Sequence, residues 1–167
     1  MRHIIGILLQ NESGALSRVA AMFASRGYNI ESLSVSATDD PALSRITLVT
    51  KGSEAVVQQI VNQLHKLIDV VAADNMTSED HLERELALIK IRARPAQRDA
   101  VRSLVEKAGG RVLTEGSDCH IVEIASSEAA ITELAQQLAT QAELLEIVRS
   151  GALAMSRQAG ILHVVES

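Results

Sequence analysis

The sequence predicts an α+β chain of two tandem βαββαβ units, each an antiparallel sheet with its helices on one face. Three observations carry this. Four segments place apolar residues at i, i+3, i+4 and i+7, one stripe along one side of a helix. Short β-branched or alternating runs lie between them. Their order, strand, helix, strand, strand, helix, strand, occurs twice within 167 residues.

Along the first half, the apolar run Ile4–Leu9 reads as a strand and is too short to span a bilayer. A polar loop, "QNESG", hands over to the helical stripe Leu16, Val19, Ala20 and Phe23, and Gly27 stands where a left-handed helix cap is expected. Ile30–Ala37 and Arg45–Thr50 read as strands joined by a hairpin turn at Asp39-Asp40-Pro41. The stripe Val57, Ile60, Val61 and Leu64 gives the second helix and Ile68–Ala72 the fourth strand. The polar stretch "NMTSEDH", Asn75 to His81, marks the joint, so the expected domains are 1–76 and 82–167.

The second half repeats the scheme. Strands are expected at Leu86–Ile91, Val112–Glu115, His120–Ala125 and Leu144–Val148, with helical stripes at Val101, Leu104, Val105, Ala108 and at Ile131, Leu134, Ala135, Leu138. Gly109 answers Gly27. The tail "RSGALAMSRQ", Arg149 to Gln158, has no periodicity that names an element, and its two arginines read as exposed or, alternatively, as touching a partner subunit. "IIGILL" is apolar on both faces, whereas an open antiparallel sheet usually shows water a polar face. A partner chain or the second domain is the natural cover, so an obligate oligomer is expected, a dimer first.

Composition narrows the function. The chain is 47% hydrophobic and 22% charged, an ordinary globular balance. Phe23 and Tyr28 are its only aromatics, so the core is aliphatic and no stacking platform for single-stranded nucleic acid exists. A net charge of −5 with scattered basic residues excludes a phosphate-backbone footprint. Cys119 stands alone, which fits a reducing, cytoplasmic compartment, and no signal or membrane segment is read. The five histidines show no metal-ligand spacing and read as surface or capping residues. Cys119 and His120 point to opposite faces of a strand and so form no catalytic pair. Glu83–Glu85, "ERE", reads as solvated, with Arg84 available to an interface.

The two units differ at their first strand-to-helix turn. The first reads "NESGALS"; the second reads "ARPAQRD", Ala93 to Asp99. A helix N-terminus offers unpaired N–H groups and partial positive charge, an anion site without a basic side chain. Gly14 leaves the backbone open to a ligand, Asn11 carries both a carbonyl and an amide, and Leu16 is apolar. Together they suit a zwitterion with a small aliphatic tail, a free amino acid. Asn, Ser and Gly before a helix are also what capping and turning demand, and from the loop alone both readings stand.

A βαββαβ unit with a glycine at this turn resembles the ACT domain, a ferredoxin-like regulatory module that binds amino acids where two copies meet. "NESGALSRV", "RGYNIESL" and "TDDPALSR" resemble more closely the regulatory, or small, subunits of acetolactate synthase (acetohydroxyacid synthase). This likeness runs from about Arg2 to Met76; "LVEKAGGRV" and "EIVRSGALAMSR" extend it more loosely into a C-terminal ferredoxin-like regulatory domain. The resemblance implies a non-catalytic subunit with no cofactor of its own. Its large partner would hold thiamine diphosphate, Mg²⁺ and FAD and condense pyruvate with pyruvate or 2-ketobutyrate. The small subunit would activate that partner and confer feedback inhibition by valine, in some members by leucine or isoleucine. Carried over, the effector site is Asn11, Gly14, Ala15 and Leu16 of one chain, completed by Asn29 and Ile30 across a homodimer interface, with Ser17 and Gln59 in support.

Rivals fit less well. Acylphosphatases share the split βαβ scaffold but need an arginine in the loop that here reads "NESGA". No GxGxxG or GxxxxGK[ST] loop and no thiamine-type "GDG" occurs. A transcription factor would need a DNA-binding domain, and both halves are spent on sheets. A stand-alone ACT-type amino-acid sensor is the alternative.

Overall fold

A computed structural model describes residues 1–116, 119–158 and 162. The alternation and stripes of the first half become β1 (Arg2–Gln10), α1 (Ala15–Ser25), β2 (Ser32–Ala37), β3 (Leu43–Lys51), α2 (Glu54–Leu64) and β4 (Val70–Asn75). These strands form one antiparallel sheet in the order β2-β3-β1-β4. The second half gives β5 (His81–Arg92), α3 (Arg98–Lys107), β6 (Arg111–Glu115), β7 (Cys119–Ser126), α4 (Glu128–Gln141) and β8 (Glu143–Arg149) in the order β6-β7-β5-β8. The repeat is therefore topological as well as sequential. Gly27 and Gly109 have φ of 69° and 77°, the left-handed conformation that ends α1 and α3.

Each unit has its own aliphatic core. In the first, Ile5, Ile7 and Leu9 from alternate positions of β1 meet Val19 and Phe23 of α1 and Ile60 and Leu64 of α2. Tyr28 packs edge-to-face on Phe23, ring centroids 6.1 Å apart. In the second, Ile89 and Ile91 of β5 meet Val101 and Val105 of α3 and Ile131, Leu134 and Leu138 of α4. Two of the stripe residues, Leu16 and Ala20, are exposed, which narrows the buried face of α1 to Ala15, Val19, Met22 and Phe23.

The tail departs from expectation. Leu153–Ser156 forms a ninth strand, β9, paired with β5. The chain divides into one compact unit of Met1–Glu83 together with the segment from Ala152 onward, and a second of Arg84–Gly151. The expected boundary at 76/82 thus moves to 83/84, and the tail leaves the second domain for the first. Ala152 is buried with Ile4, Val49 and Met76 on the outer face of the first sheet. Ala152 and Ala154, with Met76, thus cover part of the second apolar face of "IIGILL" within the chain. Gly6 lies under the same cover: a Cβ there would stand 2.6 Å from Arg45 Nη2 and 2.9 Å from Met76 Sδ.

Two further expectations are corrected. His3 and His120 are buried, not surface residues, each on the core side of its strand. His3 Nε2 donates to the Gly52 carbonyl at 3.2 Å. "ERE" is not a solvated run. Glu83 pairs with Arg2, and Glu85 is 7% exposed, its two oxygens held by Arg149 Nε at 3.1 Å and by Nη2. Arg149→Ala would leave that buried carboxylate without its cation, at a cost of about 3 kcal/mol. A urea titration should show the fall, and Glu85→Gln combined with Arg149→Ala should recover part of it.

Candidate functional site

The loop between β1 and α1 is held from below. Gln10 N donates to the Asp69 carbonyl at 2.8 Å and Asn11 N to Ala42 at 2.7 Å. Asn11 Nδ2 donates to the Pro41 carbonyl at 3.0 Å, and its Oδ1 accepts from Ser44 Oγ at 3.1 Å. Asn11 is therefore a brace between the loop and the β2–β3 hairpin, with one amide hydrogen and one lone pair to spare.

Gly14 is the N-cap of α1 at φ 84°, ψ −10°, a conformation that L side chains rarely adopt. No side chain caps this helix. In α2 and α4 the capping oxygens are Ser53 and Ser127, accepting from Val56 N and Ala130 N. Those helices and α3 also carry an acidic residue in the first turn, Glu54, Glu128 and Asp99, whereas α1 has none. Of the capping and turning reading of the loop, the glycine part holds, since Gly14 is the N-cap in a left-handed turn, while neither Asn11 nor Ser13 caps the helix with its side chain. Ala15 N is taken by Glu12 O at 3.2 Å, while Leu16 and Ser17 follow at positions where helix amides have no intrahelical acceptor. The positive end of α1 thus receives neither a side-chain cap nor a first-turn carboxylate from its own helix.

Arg18 and Asp69 complete the surroundings, and sequence reasoning missed them as a pair. Nε and Nη2 of Arg18 fork onto the two oxygens of Asp69 at 2.5 and 2.8 Å. Asp69 is 3% exposed, and the Arg18 hydrogen bond holds its carboxyl below the usual 3.8. A depressed carboxyl pKa stabilises the fold above the unfolded value, and that contribution is lost as pH falls through the folded one. Arg18→Ala should therefore lower the thermal midpoint at neutral pH, with the gap from wild type closing in acid as pH falls through the depressed folded-state value of the paired Asp69. Arg18 also lies over Gly14, since a Cβ there would sit 3.0 Å from Nη1.

The other expected residues fall at different places. Ala15 is buried at the start of α1, and Leu16 and Ser17 are exposed beside it. Asn29 and half-buried Ile30 follow the far end of α1. Asn29 Nδ2 donates to Glu31 at 2.7 Å, and the Asn29 backbone carbonyl accepts from Thr50 Oγ1 at 2.6 Å. An eleven-residue helix rises about 16 Å, so Gly14 and Asn29 of one chain do not share a ligand of amino-acid size. Gln59 is exposed on α2. Among the described residues no group of three His, Cys, Asp or Glu is placed to hold a metal, and no helix is long and apolar enough to cross a membrane.

Residues 5–72 match the family model of the AHAS small subunit-like ACT domain, and residues 84–158 that of the small subunit of acetolactate synthase. The chain is 43% identical over 157 residues to the acetolactate synthase isozyme 3 small subunit of Escherichia coli, covering 94% of this chain and 96% of that one. It belongs to the acetolactate synthase small-subunit family. The acetolactate synthase small subunit of Haemophilus influenzae is 41% identical with the same coverage. The crystal structure of the family member from Thermotoga maritima superposes with a TM-score of 0.86 at 31% identity, covering 96% of this chain and 99% of that one. The ferredoxin-like double-unit architecture is thus the family's, and the family name places it in branched-chain amino acid biosynthesis.

Proposed function

We propose that this chain is a non-catalytic regulatory subunit. It binds and activates a large, thiamine-diphosphate-dependent acetolactate synthase subunit and makes that partner sensitive to valine. Thiamine diphosphate, Mg²⁺ and FAD would reside in the partner, in whose cytoplasmic reaction this chain takes no chemical step. The observation that carries the reading is the start of α1, which alone among the four helices lacks both a side-chain cap and a first-turn acid where the others have at least one. A ligand carboxylate supplies the missing anion, and Leu16 gives an aliphatic tail something to touch.

Asn29 and Ile30 join the site only from a second chain. α1 connects β1 to β2 across β3 and so lies toward the β2 edge of the sheet. That edge strand, "SLSVSA", carries no charge, and its Val35 is 42% exposed. An uncharged edge of this kind is a template for pairing. A two-fold axis at β2 sets two α1 helices side by side and antiparallel, which brings Asn29 of each chain toward Gly14 of the other. Valine then links the two protomers and biases the dimer; coupling between sites is typically about 1–3 kcal/mol.

The test is reconstitution with a purified large subunit. Co-elution, a raised rate of pyruvate condensation and a valine-dependent fall in that rate are expected. If the chain neither co-elutes nor changes the rate yet still binds valine, the stand-alone sensor replaces this reading.

A further inference from the structure

Arg2, Arg18 and Arg149 each lie on a carboxylate of their own chain, Glu83, Asp69 and Glu85. Arg45 does not. It is half-buried on β3, beside Leu8 of β1 and Ser36 of β2, on the face of the first sheet away from the helices. Its Nε is buried and makes no hydrogen bond. Nη2 reaches the Met76 thioether at 3.3 Å and the Ala154 carbonyl at 3.4 Å, a weak acceptor and a long bond. Among the described residues no carboxylate pairs with it. Asp74 acts on it only from a distance, and burial pushes the guanidinium below its ordinary pKa.

The strand beneath makes room for this group. Gly6 interrupts the apolar run of β1 at the point where a Cβ would stand 2.6 Å from Nη2, so the guanidinium lies close over the backbone. A glycine inside a strand and a desolvated cation without a counter-charge each lower stability. Nothing in the first unit offsets either cost, and an anion from outside the chain would. A second copy is a poor source: where two chains pair at the β2 edge, the residues on the Arg45 face are Ser32, Ser34 and Ser36. The large subunit is the remaining partner, and a guanidinium fork matches the side chain of an aspartate or glutamate. Already stripped of much of its water, Arg45 has little hydration left to lose on docking.

We propose that Arg45 is a docking point for the large catalytic subunit. It receives an acidic side chain of that partner on the helix-free face of the first sheet, with Leu8 as the apolar contact beside it. The inference rests on the reading of this chain as that subunit's regulator.

Titration of the purified large subunit with the whole chain, followed by co-elution and by the rate of pyruvate condensation, tests it. Arg45→Met should weaken binding about tenfold or more. It should keep or raise the urea midpoint, because it removes a buried charge that has no partner, and should leave the valine titration unchanged. Arg45→Lys should recover part of the affinity, since an ammonium keeps the charge and loses the fork. Wild-type affinity in Arg45→Met would overturn the proposal. A urea midpoint that falls together with binding in both variants would also overturn it, by making Arg45 a structural residue. So would a midpoint that inorganic phosphate raises in the unaltered chain and not in Arg45→Met, which would assign the group to a free anion. If the unaltered chain fails to bind the large subunit, the regulatory reading falls and this one with it; binding that Arg45→Met retains removes this one alone.

Discussion

Gly14→Asp is expected to abolish valine binding by the purified chain while leaving it folded. The substitution sets a carboxylate at the N-terminus of α1, where the ligand's own carboxylate would lie. Like charges brought together in an interface cost several kcal/mol, so affinity should fall about a hundredfold or more. The new side chain must also adopt φ 84° and meet Arg18, which already holds Asp69. Aspartate tolerates the left-handed region better than most residues, at about 1–2 kcal/mol, and the atom it meets is the flexible end of a long side chain. Gly14→Ala carries the same backbone strain without the charge. Calorimetry with valine on both variants separates the two effects. An undiminished titration by Gly14→Asp would remove the site, and equal losses in both would assign the effect to backbone strain. In the reconstituted enzyme, Gly14→Asp should still activate the large subunit and should no longer transmit inhibition.

The eight strands and four helices of the two repeats were legible because aliphatic periodicity is unambiguous where almost no aromatics interrupt it. Ile5, Ile7 and Leu9 alternate inward, and Val57, Ile60, Val61 and Leu64 share one helix face, whatever else the chain does. β9 was not legible. Its four residues alternate between exposed and half-buried, and the neighbouring Ala152 is buried only because Ile4, Val49 and Met76 meet it, a contact distant in sequence. The same holds at the candidate site. "NESG" announced an unusual loop through Asn11 and Gly14, since each residue type limits the backbone locally. The Arg18–Asp69 fork joins positions 51 apart, and no local pattern announces it. The sequence also presented Asn11 as a ligand group, while its first duty proves to be bracing Pro41 and Ser44. A brace and a ligand group need the same amide, which is why residue type alone did not separate them.

Mixing two defective chains should restore valine binding that neither has alone. Asn29→Ala removes the side chain expected to complete the site from the partner, and Gly14→Asp blocks the helix start. In each homodimer both sites carry one defect. In the mixed dimer one site gathers both defects, and the other joins an unaltered Gly14 loop to an unaltered Asn29. If subunits exchange freely, half the dimers are mixed and half of their sites are intact, so about a quarter of the wild-type sites should return, with wild-type affinity. Calorimetry measures that stoichiometry directly. A site lying within one chain predicts no recovery at any mixing ratio, because every chain still carries its own defect. Asn29 is exposed, its side-chain bond reaching only Glu31 two residues on, so its loss should not disturb the fold. Recovery would therefore report shared construction of the site rather than repaired stability, and it would make valine a link between subunits. Effector binding and dimerisation would then be thermodynamically coupled, with each bound valine raising the dimerisation constant by the same factor by which dimer formation raises the affinity of that site for valine.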